Sequence, residues 1–250
     1  MSAIRLEGVS KAYPRYQHFT RGLKQTLFHL PEVLRTLRAQ QFLALQDVSV
    51  DIDHGETVGV VGANGSGKST LLGLIAGVLQ PQAGTVDVQG RIAPLLELGA
   101  GFHPELTGRE NIVLNGVLLG LRRAEVVSRL DAIIEFSEMR ASLDQPLRTY
   151  SSGMVARLGF AVAAHLDPDV LLIDEILAVG DEHFQAKCRE KIADFRERGV
   201  TIVLVSHALG DILRLCHRVI WLERGRIRAS GDPASIIEAY VAASLDPGHR

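Results

Sequence analysis

Residues Val58 to Leu72 read V-G-V-V-G-A-N-G-S-G-K-S-T-L-L and hold the spacing Gly62-x-x-x-x-Gly67-Lys68-Ser69. Gly62, Gly65 and Gly67 let consecutive backbone N–H groups turn towards one anion. A helix beginning at Lys68 adds roughly half a positive charge at the same point. Lys68 would reach the β- and γ-phosphates, and the Ser69 hydroxyl would serve Mg²⁺. The run Val170-Leu-Leu-Ile-Asp174-Glu175 supplies the matching acids. Its four apolar residues predict a fully buried parallel strand, with two carboxylates at the edge where open α/β sheets bind ligands. Asp174 fits an acid holding Mg²⁺ through water, and Glu175 fits the base that polarises an attacking water. This is the chemistry of a nucleoside triphosphate site.

Three weaker signals surround it. Ser151-Ser152-Gly153 opens a predicted helix and reads either as a second anion site or as plain serine capping. His207, after the predicted strand Thr201 to Val205, reads as a γ-phosphate contact or a structural histidine. Tyr13 and Tyr16 follow the first predicted strand and read as an adenine stack or as half-buried loop tyrosines.

The elements that must position these residues follow from pattern. Ile4, Leu6 and Val9 begin a short strand, and Leu45 to Ile52 alternates as a second. Phe19, Leu23, Leu27, Leu30, Leu34 and Leu37 form a helical stripe that Pro31 divides. Arg15, just before the segment, and Arg21, Lys24, Arg35 and Arg38 within it oppose the single acid Glu32, so the segment at about 17–42 reads as an amphipathic insertion facing a membrane or partner, or simply packing on the domain. Thr85 to Val88 and Arg91 to Leu96 read as strands around a turn at Gln89-Gly90. Thr107 and Glu110 form a capping box for a helix through Leu119. Ala124 to Glu138 is a helix with Val126, Val127, Leu130, Ile133, Ile134 and Ser137 inward. A helical subdomain at about 100–155 results. Val219 to Leu222 and Arg226 to Ala229 predict a closing hairpin, Pro233 to Ala243 a last helix, and Asp246 to Arg250 a polar tail.

Composition narrows the class. A 46% hydrophobic chain of 250 residues with formal charge −2 is an ordinary soluble globular protein, not a nucleic-acid binder. Cys188 and Cys216 are isolated and read as reduced cytosolic thiols, and the nine histidines show no metal spacing. No apolar run approaches the roughly 20 residues that span a bilayer, and residues 1–10 read as a strand, not a secretory signal.

Order and spacing together resemble the nucleotide-binding subunit of ATP-binding-cassette (ABC) transporters, from about Ile4 to Tyr240. The motifs are the phosphate loop, Tyr150-Ser-Ser-Gly-Met154, Ile173-Asp-Glu175 and Ser206-His207. The resemblance implies an α/β P-loop NTPase of ABC type over residues 1–250, with a RecA-like core, an antiparallel β subdomain and a helical subdomain. It assigns Tyr13 to adenine stacking and Gly62 to Thr70, including Asn64, Gly65, Ser66 and Gly67, to the phosphate cradle. Glu175 becomes the catalytic glutamate, His207 the switch histidine and Asp181 the aspartate of the loop between subunits. Ser151, Ser152 and Gly153 would cap the ATP of the opposite subunit, so a head-to-tail homodimer with two ATP is implied. Two departures stand out: only Ser151 and Gly153 remain of the usual Leu-Ser-Gly-Gly-Gln, and Glu97 or Leu98 falls near the usual glutamine before the helical insertion.

Leu96 to Asn111, Tyr150 to Met154 and Asp174 to Asp181 are similar to the ATPases of polysaccharide exporters. That implies ATP hydrolysis driving export of lipid-linked O-antigen, capsule or teichoic acid through a separate permease dimer, from the cytoplasmic face of the inner membrane. Some members carry a C-terminal carbohydrate-binding domain, and none is expected within these residues. The alternative within the class is an ABC ATPase for a lipid, drug or small solute. An ABC-type ATPase acting on DNA or ribosomes is disfavoured by the lack of a long coiled-coil insertion or second cassette. A regulator with little turnover is disfavoured by intact Lys68, Asp174, Glu175 and His207.

Overall fold

The computed structural model describes residues 2–14, 41–96, 98–174 and 180–245. Strands β1 (Ser2–Pro14), β2 (Gln41–Asp53) and β4 (Ala83–Val88) form an antiparallel sheet in the order β2-β1-β4. The larger sheet adds β3 (Thr57–Val61), β5 (Ile92–Leu95), β6 (Val170–Asp174), β7 (Thr201–Val205), β8 (Arg218–Glu223) and β9 (Arg226–Gly231) in the order β5-β6-β7-β3-β8-β9. Its pairings are parallel except for the closing β8–β9 hairpin. The helices are α1 (Lys68–Ile75), α2 (Gly108–Leu118), α3 (Arg123–Ser137), α4 (Ser152–Ala163), α5 (Glu182–Glu197), α6 (Leu209–Leu215) and α7 (Pro233–Leu245).

The period of two along the buried strands divides the core. Val170 and Leu172 of β6, with Val203 and Val205 of β7, face α1 and the antiparallel sheet. Leu171, Ile173, Ile202 and Leu204 face the other way, onto α4, α5 and the residues α2 and α3 bury. The helical region therefore shares the core of the large sheet. Phe160 of α4 packs near Phe136 of α3 and Phe184 of α5, with centroids 6.0 and 6.2 Å away. Cys188 and Cys216 lie in this core, where burial pushes both thiols up to about 12. They are inert packing residues at neutral pH.

Several expectations are met locally. Thr107 caps α2 with the reciprocal Glu110 bonds of a capping box, and Ser151 caps α4 by accepting from Met154 N at 3.2 Å. The strands expected at 85–88 and 91–96 are present, but in different sheets: β4 pairs with β1, whereas β5 pairs with β6 at the edge of the large sheet. Gln89-Gly90 thus hands the chain from one sheet to the other. Other expectations are corrected. Val127 is 49% exposed, not inward. Tyr13 lies within β1, not after it, and faces Phe42 of β2 in register. Gln41 and Phe42, expected to end the amphipathic insertion, begin β2 instead. The rest of that insertion, Tyr16, Glu97, Glu175 and the tail 246–250 lie outside the described residues. Among the described residues, no helix is long and apolar enough to cross a membrane.

Candidate nucleotide site

Sheet order explains why the chemistry converges. β7 lies between β6 and β3, and Val205 is in register with both Asp174 and Val60. The carboxyl ends of three neighbouring strands therefore deliver Asp174, Ser206-His207 and the phosphate loop to one edge of the sheet. β3 is buried along its length. Gly62 follows it directly, and an added Cβ there would meet Leu222 O. Only glycine lets the loop leave β3 this close to β8.

Among the described residues, no side chain caps the positive end of α1. Its N-cap is Gly67, at φ +108, with no side-chain capping bond and no acid in the first turn. An anion is the natural complement. Lys68, a residue 8% exposed, donates from its ammonium to Gly62 O at 2.8 Å and Ala63 O at 3.1 Å, holding the loop closed around its own charge. The loop is braced from outside, because Gly225 N donates to Ser66 O at 3.0 Å. Ser66 Oγ is buried without a hydrogen-bond partner among the described residues, an unusual state for a hydroxyl.

A cavity of about 190 Å³ opens over this loop, lined by Asn64, Gly65, Gly67, Lys68, Ser69 and Thr70 and walled by Tyr13, Phe42 and Ala44. The antiparallel sheet thus sets an aromatic beside the glycine loop, a face of the kind on which a base stacks. Phe42 was not anticipated; registering β1 against β2 is the step that would have found it. A second cavity, of about 290 Å³, joins Gly62 and Lys68 to Ser206, His207 and Tyr240. His207 is exposed there, whereas Ser206 is buried and accepts from Ala208 N at 3.0 Å. Tyr240, on α7, is another lining residue with no local sequence signal.

Ser151, Ser152 and Gly153 line neither of these two cavities. They stand at the exposed start of α4, held by Tyr150, whose hydroxyl donates to Ser142 O at 2.6 Å. Asp181 caps α5 by accepting from Phe184 N at 2.9 Å, and that bond together with the Arg157 guanidinium holds its carboxyl below the usual range.

The fit to a nucleotide is good: glycines that must lack Cβ, an uncapped helix start, an orphan hydroxyl and a buried lysine surround one cavity. For a divalent cation the donors are Ser69, exposed in the first turn of α1, and half-buried Asp174. Both are oxygen ligands suited to a hard ion that also takes phosphate oxygens. Among the described residues no cluster of three or more His, Cys, Asp or Glu forms an all-protein metal site.

The family model described as "ABC transporter" matches residues 45–178, which is more than half of the chain. The chain belongs to the ABC transporter family. As an ABC cassette it is 53% identical to "O-antigen export system ATP-binding protein RfbB" of Klebsiella pneumoniae over 96% of this chain and 98% of that protein. The protein of the same name from Myxococcus xanthus is 49% identical over 97% of this chain but only 56% of its own length. "Teichoic acids export ATP-binding protein TagH" of Listeria innocua is 43% identical over 95% of this chain and 69% of that protein. A solved ATP-binding cassette, a dimer in a post-hydrolysis state bound to ADP and Pi, superposes with TM-score 0.73 at 21% identity, covering 92% of this chain and 98% of that one. The cassette therefore has the ABC ATPase fold, with the expected antiparallel sheet and helical region around a mostly parallel core.

Proposed function

We propose that this ABC ATPase hydrolyses ATP to drive export of a lipid-linked surface polysaccharide, of the O-antigen, capsule or teichoic acid kind, through a separate membrane permease. The observation that carries the cargo class is the 53% identity to an O-antigen export ATPase across nearly the whole of both chains. The teichoic acid export relatives support the same class of cargo from a second direction. The cassette works at the cytoplasmic face of the inner membrane, attached through the permease and without nucleic acid.

In this reading Tyr13 stacks on the base, and Gly62, Asn64, Gly65, Ser66, Gly67, Lys68, Ser69 and Thr70 hold the phosphates. Lys68 exchanges its two loop carbonyls for phosphate oxygens. Bound Mg²⁺ would neutralise phosphate charge as the terminal bond breaks. Ser69 and Asp174 would hold that ion, Glu175 takes the proton of the attacking water, and His207 contacts the terminal phosphate. Two chains face head to tail, each closing the other's ATP with Ser151, Ser152 and Gly153, while Asp181 lies between them. Closure on ATP and reopening after hydrolysis move the permease between states.

The test is Glu175→Gln in the native host. The expected outcome is loss of surface polymer with lipid-linked chains accumulating inside. Normal surface polymer, with the variant present and inactive as an ATPase, would discard the polysaccharide cargo and favour a lipid, drug or small solute.

A further inference from the structure

Arg157 stands on α4, less than two turns after Ser151, at the meeting point of three segments. Its Nη2 lies 2.7 Å from Asp181 Oδ2, at the start of α5. Its Nη1 lies 3.7 Å from Glu138 Oε2, at the end of α3. The guanidinium plane covers the Phe184 ring at 4.8 Å, and only 20% of the side chain is exposed. The approach is tight: a Cβ on Gly180, whose φ is +76, would come within 3.2 Å of Arg157 Nε. Glu138 is itself fixed, with Lys187 Nζ at 3.0 Å and the same ammonium donating to Phe136 O at 2.9 Å. One planar fork therefore spans the ends of α3 and α5 while stacked on an aromatic ring, an arrangement that an ammonium cannot reproduce.

We propose that Arg157 is a positioning residue that locks Asp181 and the Ser151–Gly153 turn into one rigid unit, so that the two segments meet a second subunit in fixed relation. This rests on the two-subunit reading given above. Ser151 and Gly153 lie on the helix that carries Arg157, and Asp181 is its shortest ionic contact, so a displacement of either is transmitted to the other. Glu138 ties the same unit to the end of the helical insertion. The nucleotide cradle lies elsewhere: Arg157 lines neither cavity that contains Lys68. Arg157 thus acts on the joint between subunits and not on the binding of ATP to one chain.

The test uses the full chain with R157Q, R157K and E138Q. MgATP affinity is read with a fluorescent ATP analogue, turnover and its Hill coefficient by phosphate release, and ATP-dependent dimerisation by sedimentation in a Glu175→Gln background. R157Q is expected to bind nucleotide within about twofold of the native chain, a split between binding and turnover that a general loss of fold does not give. Its turnover falls about 10- to 100-fold, the scale of a small misplacement of reacting groups, and its Hill coefficient drops towards unity. R157K recovers part of the turnover, and E138Q, losing the longer arm and the Lys187 ion pair but keeping Arg157 on Asp181, costs less than R157Q. Native turnover and cooperativity in R157Q would overturn the proposal, as would equal losses of affinity and turnover. If R157Q does not fold, R157K decides: native cooperativity with lysine overturns the fork. A native chain that stays monomeric with ATP in the Glu175→Gln background would refute the two-subunit reading, and this proposal with it. A dimeric one whose R157Q variant remains cooperative refutes this proposal alone.

Discussion

Gly153→Ala separates what α4 does for the fold from what it does for catalysis. Gly153 is not among the glycines at positive φ, and an added Cβ would find only Ser151 Oγ, at 3.9 Å. That is ordinary van der Waals contact, so the methyl fits the isolated chain. Alanine is the better helix former by up to about 1 kcal/mol in a helix interior. At the second residue of α4 some of this, about 0.4–1 kcal/mol, should appear as added stability through the less flexible unfolded chain. For a chain of this size that raises the melting temperature by roughly 1–4 °C. The affinity of a separated chain for nucleotide should be unchanged, because Gly153 lines neither of the two cavities described at Lys68.

Turnover should behave oppositely. If a second copy's terminal phosphate approaches the backbone at Ser151–Gly153, the methyl stands in its path and displaces a preorganised donor. Loss of one such donor costs about 100- to 1,000-fold in turnover. Calorimetry, analogue titration and phosphate release on one preparation therefore give a distinctive triple: stability up, affinity level, turnover down. Turnover that stays native would refute the approach of any ligand to this turn. A fall in melting temperature would instead refute the reading that the space is open.

Gly67→Ala and Gly65→Ala form a second pair. Both glycines have positive φ, +108 and +77, but a Cβ on Gly67 would meet Ala44 O at 2.5 Å and Leu45 Cδ2 at 2.7 Å, whereas one on Gly65 meets nothing within 4 Å. Gly65→Ala should cost only the conformational strain, about 1–2 kcal/mol. Gly67→Ala must also displace β2, adding about 1–3 kcal/mol and disturbing the wall that carries Phe42; equal losses in denaturant titrations would refute this. Glu56 predicts a pH effect: burial pushes its carboxyl up, but the Arg218 guanidinium at 2.7 Å and the Asp53 N–H at 3.0 Å prevail and hold it below the usual carboxylate range. Its stabilisation is thus complete above the unfolded carboxylate range and disappears as pH falls through the lowered folded value. Glu56→Gln should cost about 1.5–3 kcal/mol at pH 7, and the gap to the native chain should narrow on acidification below about pH 4.5; a pH-independent gap would count against the charged pair.

Legibility tracked locality. The phosphate loop, the acidic end of β6 and the caps at Thr107 and Ser151 were readable because their residues act within a turn of one another. Gln89-Gly90 announced a change of direction but not its destination, since the receiving strands, β1 for β4 and β6 for β5, are remote in sequence. Val127 sits at the margin of a helical stripe, where period alone does not fix the edge. Phe42 gained meaning only from its register with Tyr13. Arg157 has partners on two other helices' ends, and nothing adjacent to it in sequence names either.

The placement of the two motif sets has its own logic. The three strand ends that carry Asp174, His207 and the phosphate loop are fixed by one register across β6, β7 and β3. The Ser151 turn instead hangs on the helical region through Tyr150 and Ser142. A single chain thus presents the Lys68 loop, the candidate nucleotide cradle, on one support and an exposed, serine-capped helix start on another. If each cradle is completed by the other chain's turn, the pairing is self-complementary and closes after two copies, as a twofold axis requires. Each ATP then binds both chains, so binding energy at one site must be shared with the other. Cooperative turnover is the direct consequence, and it would be absent from a cassette whose own Ser151 turn reached its own Lys68.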